Sequence, residues 1–136
     1  MAYIFGEKSL AKLVECELDL QAVAHGALGL NIMDFAVIEG HRVKSKQDEY
    51  FNAGKSKIQW PAGKHNRYPS QAVDIVPYVN GTISWNNFHC CVLAGIILAV
   101  AKSRGIKIRW GGNWNQNGEV ITDQTFQDLV HYELAL

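Results

Sequence analysis

Five ionisable residues sit where they could do chemistry together. Asp74 interrupts the apolar run 72–79, AVDIVPYV. An unpaired carboxylate among Ala72, Val73, Ile75 and Val76 is costly, so it needs a partner. His65 lies nine residues earlier, in a polar, loop-like run. His131 and Glu133 stand two apart on an alternating segment, which puts both on one face and Tyr132 on the other. Asp128 lies three residues before His131. Two histidines and one carboxylate suit a catalytic zinc ion, which keeps a fourth position for water. The ion can ionise water near neutral pH and polarise a carbonyl. A further carboxylate, Asp128 or Glu133, would take the proton and pass it to a leaving amine. Spacing alone leaves plainer readings open. His65 can be a solvated loop residue, Asp74 a hydrogen-bonded strand-end acid, and His131 a satisfied core or edge histidine.

The surrounding patterns predict the elements that must position these groups. Residues 9–29 read as one helix, with Leu10, Leu13, Val14 and Leu18 on one face and Ser9 as its cap. Residues 35–40 read as a short strand, and 44–53 as a polar, one-sided helix ended by Gly54. Residues 55–70 form a long loop, the kind of segment that often carries function. Residues 72–79 read as a mostly buried strand, with Pro77 at an edge or exit. Asn80-Gly81 signals a tight turn. Residues 86–103 form the second main helix, capped near Asn86 or Asn87. Residues 106–110 and 131–136 alternate like strands, joined by a loop over 111–124. The order α-β-α-β-α-β-β predicts an α+β or mixed fold with a small sheet.

Composition narrows the function classes. The chain has 136 residues, 48% of them hydrophobic, with four Trp, five Tyr and five Phe. One domain with one core is expected across 1–136. Thirteen basic residues balance thirteen acidic ones, so no net field favours nucleic acid or anionic lipid. Charges at Glu7, Lys8, Lys12 and Glu15 argue against a signal peptide. The most apolar stretch, residues 90–101, is too short to span a bilayer and reads as a buried helix. Cys16, Cys90 and Cys91 form no CxxC pair, which points to a reducing compartment. His89, Cys90 and Cys91 are consecutive on a helix and point in different directions, so they read as core packing.

The segment HNRYPSQAVD at 65–74, followed by DLVHYEL at 128–134, resembles the LAS-type zinc peptidases that cut bacterial cell-wall peptides. That group includes D-alanyl-D-alanine carboxypeptidases and a phage endolysin branch. The resemblance extends to Gly40-His41-Arg42, the Pro-Tyr after the Asp74 strand, Trp85-Asn86 and WGGNWN at 110–115, and covers about Gly40 to Leu134. It implies a small, mostly antiparallel sheet against two main helices, the LAS/hedgehog-type fold. It implies His65, Asp74 and His131 as zinc ligands, Asp128 as general base, and Arg42 as the cation that steadies the substrate carbonyl oxygen. Glu133 is expected to orient a ligand or Arg42, with direct catalysis the lesser role. Trp114 and His41 are candidates for the substrate cleft. Lys55, Lys57, Lys64 and Arg67 lend the long loop positive charge, which suits a substrate with free carboxylates.

The resemblance further implies a monomeric phage endolysin: one catalytic domain with no wall-binding module, acting on the murein stem peptide with no nucleic-acid or membrane partner. The favoured bond is L-alanyl-D-glutamate. The alternatives are a D-alanyl-D-alanine carboxypeptidase or dipeptidase with the same zinc chemistry, and a non-catalytic zinc-stabilised peptidoglycan-binding domain. The enzyme is expected to accumulate in the host cytoplasm and reach the wall through a holin-type pore. Two departures stand out. Gly63 replaces a serine common in relatives, which puts one substrate contact in question. The His65-to-Asp74 spacing is two longer than the commonest form, as in phage relatives with an insert.

Overall fold

The structure is a computed structural model and describes residues 2–135. Its elements are α1 (Glu7–Leu13), α2 (Leu18–Gly29), β1 (Phe35–Glu39), α3 (Lys44–Asn52), a single 3-10 turn at Lys64–Asn66, β2 (Ala72–Val79), β3 (Thr82–Ile83), α4 (Asn87–Ser103), β4 (Ile108–Gly111) and β5 (Asp128–Leu134). The sheet order is β1-β2-β5-β4, with β3 paired to β2, and every pairing is antiparallel. This is the α+β architecture expected.

Period-two alternation divides the sheet into two faces. Val73, Ile75 and Tyr132 join the main core with Leu20, Val23 and Ala27 of α2 and Leu93 and Ile97 of α4. Each fully buried Leu or Ile contributes about 1.5–3 kcal/mol to that packing. The alternate residues Asp74, His131 and Glu133 open onto the other face. Asn86 caps α4, its side chain accepting from the backbone N–H groups of Phe88 and His89. No helix among the described residues is long and apolar enough to cross a membrane.

The expected helix over 9–29 is two helices with a break at residues 14–17. There the chain pairs with the long loop instead of continuing to coil. Ser70 N–H donates to the Glu15 carbonyl at 2.8 Å, and Glu17 N–H donates to the Ser70 carbonyl at 2.9 Å. Ser9 is not the cap. It is the third residue of α1, and its hydroxyl accepts from Val37 N–H at 3.1 Å. The break anchors the loop that carries His65.

Strand β5 starts at Asp128, three residues before the alternation at 131–136 suggested. Its register against β4 shifts between Trp110 and Gly111, so that Gly111 faces Asp128. A Cβ at position 111 would lie 2.0 Å from the Asp128 carbonyl oxygen. Only glycine permits that approach. The irregularity matters for the site, because residues three apart on a regular strand face opposite sides. Here Asp128 and His131 line the same cleft.

Candidate metal centre and cleft

Antiparallel pairing places Glu39 beside Asp74 and Asp74 beside His131, in one row across three strands. The turn at Lys64–Asn66 swings His65 over that row. His65 Nε2 lies 3.1 Å from Asp74 Oδ1 and 3.2 Å from His131 Nδ1. His131 Nδ1 lies 3.4 Å from the same carboxylate oxygen. This is the one cluster with metal-ligand chemistry among the described residues.

The outer nitrogens fix the tautomers. His65 Nδ1 is 2.7 Å from the Gly40 carbonyl oxygen, an acceptor, so Nδ1 carries the proton. His131 Nε2 is 2.8 Å from Glu133 Oε1 and donates to it. With both imidazoles neutral, His65 Nε2, His131 Nδ1 and Asp74 Oδ1 all present lone pairs to one another. Three acceptors converging in a buried site repel unless a cation lies among them. A tetrahedral ion with bonds of about 2.0–2.1 Å needs its ligand atoms about 3.3–3.4 Å apart. The observed triangle fits that requirement. Carbonyl and carboxylate supports on the far nitrogens are what ligating histidines ordinarily have.

Protons and a cation compete for such a cluster. Burial works against charge on His131, but hydrogen bonds to Asp74 and Glu133 outweigh it and push its pKa up to about 9. Burial also works against the Asp74 carboxylate, and the two imidazoles overcome it, holding Asp74 well below the usual carboxylate range. Asp128 moves the other way. Burial and the neighbouring Asp74 charge raise its pKa. The cysteines lie outside this cluster. Burial pushes the Cys16 thiol up to about 12 and raises Cys90 and Cys91 as well.

The cluster sits in a cleft of about 710 Å³. Arg42 enters it from beyond β1. Its Nε and Nη2 donate to the two Glu39 carboxylate oxygens at 3.1 and 2.8 Å, and Nη1 donates to Gln47 Oε1 at 3.0 Å. Nη2 also lies 3.8 Å from Asp74 Oδ2. Three of the five guanidinium N–H groups are thereby used, and two remain. Glu133 meets Arg109 and Lys64 through Oε2, at 2.9 and 3.2 Å, so it supports His131 and does not touch Arg42. Trp114 lines the cleft, its ring centroid 5.6 Å from that of His131. His41 lies apart. Consecutive residues of extended chain face opposite ways, and with Arg42 turned inward the His41 ring packs edge-on against Tyr68 at 5.2 Å. Gly63 is closely fitted, since a Cβ there would lie 2.7 Å from Asn66 Oδ1. That oxygen accepts from Gly63 N–H, and Asn66 thus occupies the space a serine would need.

Sequence reasoning missed three residues here. Glu39 is buried and carries Arg42, and it ends the apolar strand FAVIE, so the argument applied to Asp74 would have found it. Gln47, 1% exposed, accepts from Arg42 and Asn66 and donates to Ser56 and the Ile58 carbonyl. Nothing in the polar pattern of α3 marks it. Arg109 is an alternating residue of β4, and its partners lie in distant segments.

Comparison with known proteins agrees with this geometry. A family model described as phage L-alanyl-D-glutamate peptidase matches residues 1–135. The L-alanyl-D-glutamate peptidase of Escherichia phage T5 is 32% identical over 120 residues, which cover 88% of this chain and 87% of that one. The crystal structure of the Serratia marcescens L-Ala D-Glu endopeptidase ChiX superposes with a TM-score of 0.79 at 29% identity, covering 96% of this chain and 90% of the other. The chain belongs to the phage L-alanyl-D-glutamate peptidase family.

Proposed function

We propose that this chain is a zinc-dependent endopeptidase that hydrolyses the L-alanyl-D-glutamate bond of murein stem peptides. Its family membership makes it a peptidoglycan endopeptidase. The observation that carries the metal reading is the triangle of lone pairs from His65, Asp74 and His131. When bound, zinc polarises the scissile carbonyl and lowers the pKa of a water molecule toward neutrality. Asp128 takes the proton from the attacking water and delivers it to the departing amine of D-glutamate. Arg42 offers its two remaining N–H groups to the carbonyl oxygen as it gains charge. Glu133 holds the His131 ring in the tautomer that leaves Nδ1 free. Trp114 walls the cleft beside His131.

The enzyme works as a monomeric single catalytic domain, made in the host cytoplasm and released to the wall through a holin-type pore. The phage origin of the family supports that setting. Mass spectrometry of purified murein after digestion tests the bond. New amino termini on D-glutamate, with L-alanine left on the glycan side, are expected. Release of D-alanine would instead mark a carboxypeptidase.

A further inference from the structure

Glu133 is one acid serving more cations than it can neutralise. Its Oε2 is 2.9 Å from Arg109 Nη2 and 3.2 Å from Lys64 Nζ, while Oε1 already holds His131. Lys64 also donates to the Leu134 carbonyl. Lys57 lies across this end of the cleft, with Nζ 5.8 Å from the centre of the Phe126 ring, and meets no acid among the described residues. Arg109, Lys64 and Lys57 face Glu133 and Asp128 at the β4 end of the cleft, which leaves three cations against two carboxylates there although the whole chain is neutral.

Arg109 is the member best placed to use that excess. Its side chain keeps 37% of its surface exposed. Its guanidinium carbon stands 5.2 Å from the centre of the Trp114 ring, a cation–π contact at the cleft wall. A single N–H is committed to Glu133 and another makes a long 3.5 Å contact with the Trp114 carbonyl, so donors remain for a ligand. Arg109 contacts Glu133, which holds the outer nitrogen of His131, and both Arg109 and His131 line the same cleft.

The substrate chemistry asks for such a group. A D-glutamate that continues the chain through its γ-carboxyl keeps a free α-carboxylate. That carboxylate hangs on the carbon bearing the scissile nitrogen, so it must lie next to the reacting centre. We propose that Arg109, with Lys57 and Lys64, forms the subsite for this α-carboxylate and makes Arg109 a specificity-determining residue. The inference rests on the peptidase reading above. Arginine suits the task because its fork matches a carboxylate and stays protonated.

Two substrates separate this from a merely structural role. One is N-acyl-L-alanyl-γ-D-glutamyl-L-lysine with its glutamate α-carboxylate free. The other is the same peptide with that carboxylate as a primary amide. The zinc-loaded enzyme is expected to favour the acid over the amide by roughly tenfold to a hundredfold in kcat/KM, the effect of losing one charge-assisted contact. Arg109→Gln is expected to bring that ratio close to one, and Arg109→Lys to restore part of it. An Arg109→Gln enzyme that loses activity on both substrates while keeping the wild-type ratio would overturn the proposal. So would a wild-type enzyme that cleaves both equally, although the peptidase reading would then stand. Cleavage of neither substrate would sink both.

Discussion

Glu39 with Arg42 on the β1 side, and Glu133 with Arg109 on the β4 side, flank the His65, Asp74 and His131 cluster like two brackets. Both acids are buried, at 6% and 5% exposure. The cations differ. Arg42 keeps 10% of its side-chain surface exposed and is gripped by both oxygens of Glu39, by Gln47 and by the ring of Tyr50 at 4.7 Å. Arg109 is more than a third exposed and shares one carboxylate oxygen with Lys64. The first bracket holds Arg42 rigidly beside Asp74 and leaves two of its N–H groups uncommitted. The second touches His131 directly through Glu133 and also keeps donors open to the cleft. Burial of the cation therefore sets how tightly an acid–arginine pair is fixed in place, while both pairs keep donors for a ligand.

The largest effect should come from the residue between the brackets. Asp128→Asn is expected to lower kcat by about a hundredfold to ten-thousandfold, the range for losing a general base. Zinc content measured by atomic absorption should stay at the wild-type level. Glu133→Gln should weaken zinc binding or activity by about ten- to a hundredfold, because His131 loses its anionic support. Competition with a chromophoric chelator measures that. Glu39→Gln should instead act on stability, at about 3 kcal/mol, since it leaves the Arg42 guanidinium buried with half its pairing gone. Urea denaturation reads it. If Glu39→Gln weakens zinc binding as much as Glu133→Gln, the two brackets are not distinct.

A pH series sharpens the β4 side. In the metal-free protein the His131 pKa is raised from 6.5 to about 9. A raised folded-state value gives stability that is complete below the unfolded pKa and lost as pH climbs through the folded one. Metal-free protein should therefore melt at a lower temperature at pH ~9.5 than at pH ~6. The zinc-loaded protein should not show this loss, because zinc takes the place of the proton. The smallest effect is reserved for a pair outside both brackets. Lys44 and Asp48 are 2.6 Å apart but 65% and 42% exposed, so Lys44→Ala should change stability by no more than about 0.5 kcal/mol.

Local signals were legible in the sequence. The buried position of Asp74 follows from one carboxylate in an apolar strand, and the α4 start from Asn86 before an apolar run. The shared face of His131 and Glu133 follows from alternation. What escaped depended on distant pairing. The first helix breaks because residues 15–17 bond to Ser70, more than fifty positions on. Asp128 reaches the face of His131 only through the register shift opposite Gly111. Arg109 joins the site because β4 pairs with β5, and no property of IKIRW announces it. Gly63 shows the reverse limit: the missing serine is visible in the sequence, while the Asn66 side chain that fills its space is visible only in the fold.

Three lone pairs, from His65, Asp74 and His131, meet where one cation would drive cleavage next to L-alanine. The direct test strips the protein of metal, titrates zinc back, and follows murein cleavage by mass spectrometry at each step. The account predicts no cleavage without metal and full cleavage at about one equivalent of zinc, four-coordinate with nitrogen and oxygen ligands, with D-glutamate at every new amino terminus. Metal-free protein that cleaves at the full rate, or zinc-loaded protein that leaves murein intact, would contradict it.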